Sequence, residues 1–342
     1  MNIQKNIPLS QYSTMRLGGI AAFVADIHNR QELTEALNWA EANRLPVITI
    51  GEGSNIVWKD EGFNGLLLIN KVLGYDVFDE DEENCYVTVG AGENWNSVVE
   101  RTAVAQVSGI EAMSLIPGSA GATPVQNVGA YGQEICQTLV SVEAYDMATK
   151  SFITIPNQDC AFSYRTSRFK TTDHGRFILM GITLHLMHTQ MTPPFYPSLQ
   201  EYMDKHNIKT YEPMVIRNAV IAIRSSHLPD PAIIANNGSF FENPIIDRIQ
   251  LSELLDRFPD LVYWNQDNDD VKLSAGWLIE KAGFKDFHSQ ETGMATWPSQ
   301  AMILINEHAR STADLLAFRQ LIIDTVNQKF GIILEQEPEL LP

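Results

Sequence analysis

"IPGSAGATPVQNVGAYGQEI", residues 116–135, is the stretch whose reading decides the fold of this chain. Gly118, Gly121, Gly129 and Gly132 break it up, so it cannot run as one helix, and its apolar residues distinguish it from a flexible linker. Glycines this close together let backbone N–H groups approach a ligand without side chains in the way, and Gln126 and Asn127 add amide donors. A second glycine turn, "GEGSN" at 51–55, follows the short apolar strand "VITI" and offers the same backbone chemistry. Taken alone, that second turn reads equally well as a tight loop with glycines at positive φ.

Outward from these loops the first half alternates strands and helices. "RQELTEALNWAEANR" sets Leu33, Ala36, Leu37 and Ala40 on one helical face, and "GLLLIN" at 65–70 reads as a strand. Strand "CYVTVGAG" leads to a helix expected from Trp95 to Val107, with Trp95, Val98, Val99 and Thr102 on one face. Strands "LVSVEAYDM", "FITI" and "RFILMGITLHL" follow the long loop, and 189–213 reads as a Pro- and Tyr-bearing connection. The last third offers helix "RIQLSELLDRF", a helix in "SAGWLIEKAG" closed by Gly283, strand "QAMILIN", and a long helix from Ser311 to Phe330 opened by a Ser311–Asp314 capping box.

Composition excludes several classes. At 342 residues with 44% hydrophobic and 19% charged residues, the chain suits two or three soluble globular domains. A net charge of −18 argues against a nucleic-acid binder, although local donors can still hold an anion. No apolar run has a membrane span's length, and "MNIQKNIPLS" lacks a signal-peptide pattern, so the expected location is the cytoplasm. Cys85, Cys136 and Cys160 form no CxxC pair and the eight histidines no HExxH, so no metal site is expected. The acidic run "DVFDEDEEN" at 76–84 reads as a solvated hairpin tip.

Three further segments can carry chemistry. "FSYRTSRFK" at 162–170 presents Tyr164, Arg165, Arg168 and Lys170, and Arg165 suits a bidentate clamp on a carboxylate; the plainer reading is a surface strand. "ANNGSFFENP" at 235–244 puts Ser239 against Phe240 and Phe241 and rings it with Asn237 and Asn243, which fits a serine buried in a cleft and able to give up a proton. In "FGIILEQEPELLP", Glu335, Glu337 and Glu339 alternate as on one strand face. Spacing alone does not separate an acidic tail from a carboxylate placed in a cleft.

The glycine loop of 116–135 is of a kind that can wrap a pyrophosphate and an isoalloxazine edge, and no GxGxxG follows a first strand, so a Rossmann site is not supported. In order, "STMRLGG", "GEGSN", "GAGENW", "LIPGSAGATPVQNVGAYG", "YRTSRFK", "LPDP", "NGSFFENP", "AGWLIEKAG", "QAMILIN" and "FGIILEQE" resemble the UDP-N-acetylenolpyruvoylglucosamine reductase (UDP-N-acetylmuramate dehydrogenase) family over nearly the whole chain. That resemblance implies an α+β fold. It comprises a p-cresol-methylhydroxylase-type FAD-binding domain of two α/β subdomains (1–190, divided near 70), a tyrosine loop of the longer subtype (191–213), and a C-terminal α+β substrate-binding domain (214–342) whose last strand returns to the active site.

The resemblance also implies the chemistry. NADPH and FAD would reduce the enolpyruvyl ether of a UDP-sugar to UDP-N-acetylmuramate, for peptidoglycan, cell-wall growth, cell shape and division. Arg165 and Glu337 would stabilise the enolate and Ser239 would protonate it, the three converging on the reacting carbon. Gly51, Gly53, Ser54 and Asn55 would bind FAD with Pro117, Gly118, Ser119, Gly121 and Ala122. Gln126, Asn127, Gly129, Ala130 and Tyr131 would complete that site. Tyr131 would also meet the nucleotide sugar, together with Tyr164, Tyr196, Arg224, His227, Asn243 and Gln300. A monomer with no membrane or nucleic-acid partner is implied. Ungapped alignment from "KFG" selects Glu337, whereas matching "EPE" would select Glu339 at the cost of two extra residues. His227 and Glu242 stand where the family usually has Lys, Glu339 where many members have a basic or polar residue, and Trp297 where it usually has His; the first three changes remove positive charge near a diphosphate. Such changes leave open a second reading, another FAD-dependent oxidoreductase or a weakened flavin-binding relative on the same fold.

Overall fold

The computed structural model describes residues 2–266 and 269–342. The chain packs as two compact units, each assembled from separate stretches. The first comprises Met1–Ile7, Ala21–Glu52 and Phe63–Ser226; the second comprises Pro8–Ile20, Gly53–Gly62 and His227–Pro342. Linear boundaries at 190 and 213 differ from this packing: helix Pro213–His227 lies almost wholly in the first unit, and two N-terminal segments join the second. Contacts between distant segments are the physical reason: Ile216, Ala219 and Val220 of that helix pack on Leu199 and Met203, and Ile56–Trp58 pairs with Glu339–Leu341.

In the first unit, Ile20–Ile27, Phe63–Asn70 and Val47–Ile50 form parallel pairs, with Gln4–Pro8 at the edge of the sheet. Helix Arg30–Ala42, capped by the Asn29 side chain, buries Leu33, Ala36, Leu37 and Ala40 against that sheet's Ala25, Ile27, Leu66 and Leu68. A five-stranded antiparallel sheet follows, in the order Ser151–Pro156, Leu139–Asp146, Phe177–Met187, Asn84–Gly90, Tyr75–Asp79. Helix Trp95–Val104 packs Trp95, Val98 and Val99 onto it. It stops short of Val107 because Gln106 takes a left-handed φ of 57° and Val107 N–H turns back to Thr102.

The 189–213 connection is not plain loop. Helix Pro197–Lys205 lies within it, with Pro197 in the first turn and Leu199 and Met203 buried against Ile216, Ala219 and Val220. Its prolines sit ahead of or at the helix start, where they do no harm, and so hid it from the sequence.

In the second unit, Gln300–Asn306 pairs antiparallel with both Asn236–Ser239 and Met294–Trp297. A small sheet of Ile245–Ile246, Val271–Leu273 and Tyr263–Asn265 lies in the same unit. Helix Thr312–Phe330 has the expected Ser311–Asp314 capping box and ends at Gly331 in the left-handed region. Its Leu315, Phe318, Ile322, Val326 and Phe330 fill a core with Phe240, Phe241, Leu278 and Phe284. The helix begun at Ala275–Ile279 breaks at Gly283, φ 99°. The tail does not form one strand over Glu335, Glu337 and Glu339: only Glu339–Leu341 is strand, pairing parallel with Ile56–Trp58, and Pro338 separates it from Glu337.

Candidate active site

Ser239 ends strand Asn236–Ser239. Three residue steps there, Asn236 to Ser239, oppose two on the partner, Ile305 to Ile303, which makes a β-bulge. Gly238 sits in it with φ 70°, and a Cβ there would meet nothing within 4 Å, so glycine is needed for its backbone angle. The bulge re-aims Ser239, which is half-buried rather than buried in a cleft. Phe240 and Phe241, both fully buried and edge-to-face at 5.5 Å, anchor the chain just beyond it.

The asparagines ringing Ser239 hold the backbone together. Asn237 Nδ2 donates toward Ser54 O at 3.1 Å, Ile56 O at 3.2 Å and Thr14 Oγ1 at 3.1 Å. Asn243 Oδ1 accepts from Ala275 N at 3.0 Å. Asn237 thus ties the serine strand to the end of the "GEGSN" turn. That turn is pinned from the other side, since Gly53 O accepts from Thr14 N and a Cβ on Gly53 would come within 2.1 Å of Tyr12 O. Neither Asn237 nor Thr14 was among the expected site residues; two adjacent amides just ahead of the buried Phe240–Phe241 pair were the available signal.

Glu337 lies beside the serine strand. Its N–H donates to Phe240 O at 3.0 Å, Gln336 bridges Phe241, and Glu242 N donates to Glu335 O at 2.9 Å. Glu339 is held elsewhere: its N–H donates to Asn55 O at 3.0 Å and it pairs with Ile56. The second unit therefore brings the backbones of Ser239 and Glu337 together. In the same unit, His227 O accepts from Trp297 Nε1 at 2.9 Å, and Gln300 Oε1 lies where a Cβ on Gly276 would have to sit.

The first unit holds Arg165 and the long glycine loop. "FSYRTSRFK" is not a strand: Ser163 and Thr166 bond each other through both N–H groups, and Arg165 sits in the turn between them with φ 51°. The guanidinium Nη2 donates to Gly129 O at 3.1 Å, and the Arg165 carbonyl accepts from Lys170 Nζ. Arg224 is half-buried beside Tyr131, and its Nε is shielded from water and makes no hydrogen bond. Burial, with the charge of Arg165, holds the Arg224 guanidinium below its ordinary value, while Tyr131 opposes the shift. Burial likewise raises the Tyr131 hydroxyl. Tyr196 meets Tyr131 edge-on at 5.8 Å. Two guanidinium groups and two tyrosines gathered in this way suit an anionic ligand, which would relieve the repulsion.

Not every polar residue of the long loop is turned outward. Asn127 is 1% exposed; its Nδ2 donates to Glu134 and to Ser163 O, and its Oδ1 accepts from Cys136 N. Its side chain therefore shapes the loop, where an amide donor toward a ligand was expected. Arg217 is similarly committed, to Asn96 at 2.8 Å, and Asn96 in turn accepts from Leu115 N at the loop entrance.

The backbone of this unit fits a flavin dinucleotide. A Cβ on Gly51 would come within 2.0 Å of Ser119 Oγ, and one on Gly121 within 2.5 Å of the Ala91 Cβ. The "GEGSN" turn and the long loop approach each other closely because Gly51 has no side chain to meet that of Ser119, and Gly121 lets the loop lie against Ala91. Gly118, with φ 121°, and Gly132, with φ 85°, adopt angles open mainly to glycine.

Two family models match: "FAD binding domain" over residues 21–154 and "UDP-N-acetylenolpyruvoylglucosamine reductase, C-terminal domain" over residues 230–341. The UDP-N-acetylenolpyruvoylglucosamine reductase of Ralstonia nicotianae is 37% identical over 342 residues, covering 99% of each chain. That of Alcanivorax borkumensis is 40% identical, covering 92% of this chain and 90% of its own. This chain belongs to the UDP-N-acetylenolpyruvoylglucosamine reductase family. The crystal structure of the Thermus caldophilus reductase shares the fold, with a TM-score of 0.69 at 22% identity and full coverage of both chains. The FAD-domain match contains Gly51–Asn55 and residues 116–135, and the match to the reductase family's C-terminal domain contains Ser239, Asn243, Gln300 and Glu337. Among the described residues no group of His, Cys, Asp or Glu is placed to hold a metal ion, and no helix is long and apolar enough to cross a membrane.

Proposed function

We infer that this chain is an FAD-dependent, NADPH-consuming reductase that converts UDP-N-acetylenolpyruvoylglucosamine to UDP-N-acetylmuramate in peptidoglycan precursor synthesis. The observation that carries the assignment of roles is the hydrogen bond from Glu337 N–H to Phe240 O, which sets a carboxyl-bearing residue beside the strand that ends in Ser239. Bound FAD supplies the relay of a hydride from NADPH to C3 of the enolpyruvyl group. Gly51, Gly53, Ser54, Asn55 and the 117–131 loop would hold it, mainly through backbone groups.

Hydride arrival at C3 leaves negative charge at C2, spread into the adjacent carboxylate as an enolate. Arg165 pairs with that carboxylate and Glu337 donates a hydrogen bond to it as the neutral acid. Ser239 then gives its hydroxyl proton to C2, and water restores the hydroxyl proton afterwards. Arg224, Tyr131 and Tyr196 meet the anionic part of the nucleotide sugar, with Tyr164, His227, Asn243 and Gln300 completing its binding. A soluble cytoplasmic monomer fits this role. The direct test is NADPH oxidation by the flavin-loaded protein with and without the enolpyruvyl sugar; oxidation that does not depend on the sugar counts against the reaction.

A further inference from the structure

We propose that Arg319 is a positioning residue for Glu337, acting through the side chain of Gln336. The inference rests on the role given to Glu337 above. Arg319 projects from helix Thr312–Phe330, which is capped at both ends and buried along one face, so its backbone is a fixed platform. Its Nη1 donates to Gln336 Oε1 at 2.8 Å, and Gln336 Nε2 donates on to Pro338 O at 2.6 Å. One guanidinium therefore grips the residue before Glu337 and, through it, the residue after.

The pairing is costly for what it contacts. Arg319 Nε is shielded from water and makes no hydrogen bond, and burial holds the guanidinium below its ordinary value. Its partner here is a neutral amide, so the return on placing a charge there is geometric more than electrostatic.

That geometry selects a register. The tail meets the serine strand through an isolated bridge, Phe241 with Gln336, and the bonds at Phe240 and Glu242, a short ladder that fixes register weakly. Side chains alternate along an extended chain, so a slip of two residues would present Glu339 where Glu337 now lies. The same slip would carry Pro338 to the place of Gln336. Proline offers Arg319 no side-chain acceptor. Together with the pairing of Glu339–Leu341 with Ile56–Trp58 beyond Pro338, Arg319 thus separates two carboxylates that the serine strand alone would not distinguish.

The test uses flavin-loaded Arg319→Met, Arg319→Lys and Gln336→Ala. Flavin bleaching by NADPH and flavin reoxidation by the enolpyruvyl sugar are followed separately by stopped flow. Arg319→Met should slow reoxidation by about tenfold to a hundredfold and leave bleaching within about twofold, as for a group misplaced rather than lost. Arg319→Lys should recover most of the rate, and Gln336→Ala should match Arg319→Met, with the double variant no slower than either. If Arg319→Met fails to fold, Gln336→Ala alone carries the same expectation. Reoxidation at the unaltered rate in Gln336→Ala, or both half-reactions falling together, overturns the proposal. An unaltered protein that the sugar cannot reoxidise refutes the assigned reaction itself, and with it this inference.

Discussion

Changing Asn237 to aspartate keeps the shape of the side chain and removes its two N–H donors. Asn237 is 6% exposed, and three oxygens, Ser54 O, Ile56 O and Thr14 Oγ1, lie 3.1–3.2 Å from its Nδ2. Two N–H groups must serve all three, so one bond is shared. Two such bonds contribute about 1–3 kcal/mol together. The aspartate also turns a carboxylate toward two carbonyl oxygens that cannot donate to it, leaving the Thr14 hydroxyl as the one donor among the three, which takes the loss to the top of that range unless the group protonates. Asn237→Ala removes the bonds without adding charge, so the stability order is wild type, then Ala, then Asp. The unfolding midpoint should fall by about 2–4 °C for each kcal/mol in a domain of 150–250 residues. FAD affinity, titrated by flavin fluorescence, should weaken in the same order, because the lost bonds end at the Gly53–Asn55 turn. An aspartate variant that melts within about 1 °C of wild type would refute the reasoning, since no shift that small fits two buried donors.

Two further outcomes follow from the geometry. Glu337→Gln should cut sugar-dependent turnover by about 10²–10³-fold, while Glu339→Gln should cost less than about tenfold; steady-state NADPH oxidation separates them, and equal losses would undo the register argued above. Asp146 accepts two bonds from Arg176, at 2.8 and 3.1 Å, and that pairing holds its carboxyl far below the usual range. The folded protein therefore binds this proton less readily than the unfolded chain, so the stability it contributes is complete above about pH 4 and is lost as pH falls toward the folded value. Asp146→Asn should flatten the acid limb of a stability–pH profile below about pH 4 and run parallel to wild type from about pH 6 to 8; an unchanged acid limb would contradict the pairing.

Much of the fold could be read from local pattern. The face of helix Arg30–Ala42, the Ser311–Asp314 capping box and the break at Gly283 each depend on residues a few positions apart, and each stands as expected. What failed locally depended on distant partners. The tail reads as an alternating acidic strand until Pro338 interrupts it and Gln336 pairs with Phe241, far back in the chain. Asn127 looks like a ligand donor until its amide is found bonded to Glu134 and Ser163, and Asn237, which reads only as ringing Ser239, is found bonded to Ser54 and Ile56. The helix at Pro197 was hidden because prolines usually stop helices, and these lie only before and at its first turn. The glycine loops were legible because glycine's absence of a side chain is itself the signal, as the close approach of Gly51 to Ser119 shows.

The central claim is that Ser239 supplies the proton that completes reduction of the enolpyruvyl group. Stopped-flow reoxidation of the flavin-loaded Ser239→Ala variant by the enolpyruvyl sugar, beside its reduction by NADPH, tests this most directly. The account predicts reduction at the wild-type rate and completed turnover slower by about 10²–10⁴-fold. Turnover at the wild-type rate would contradict it.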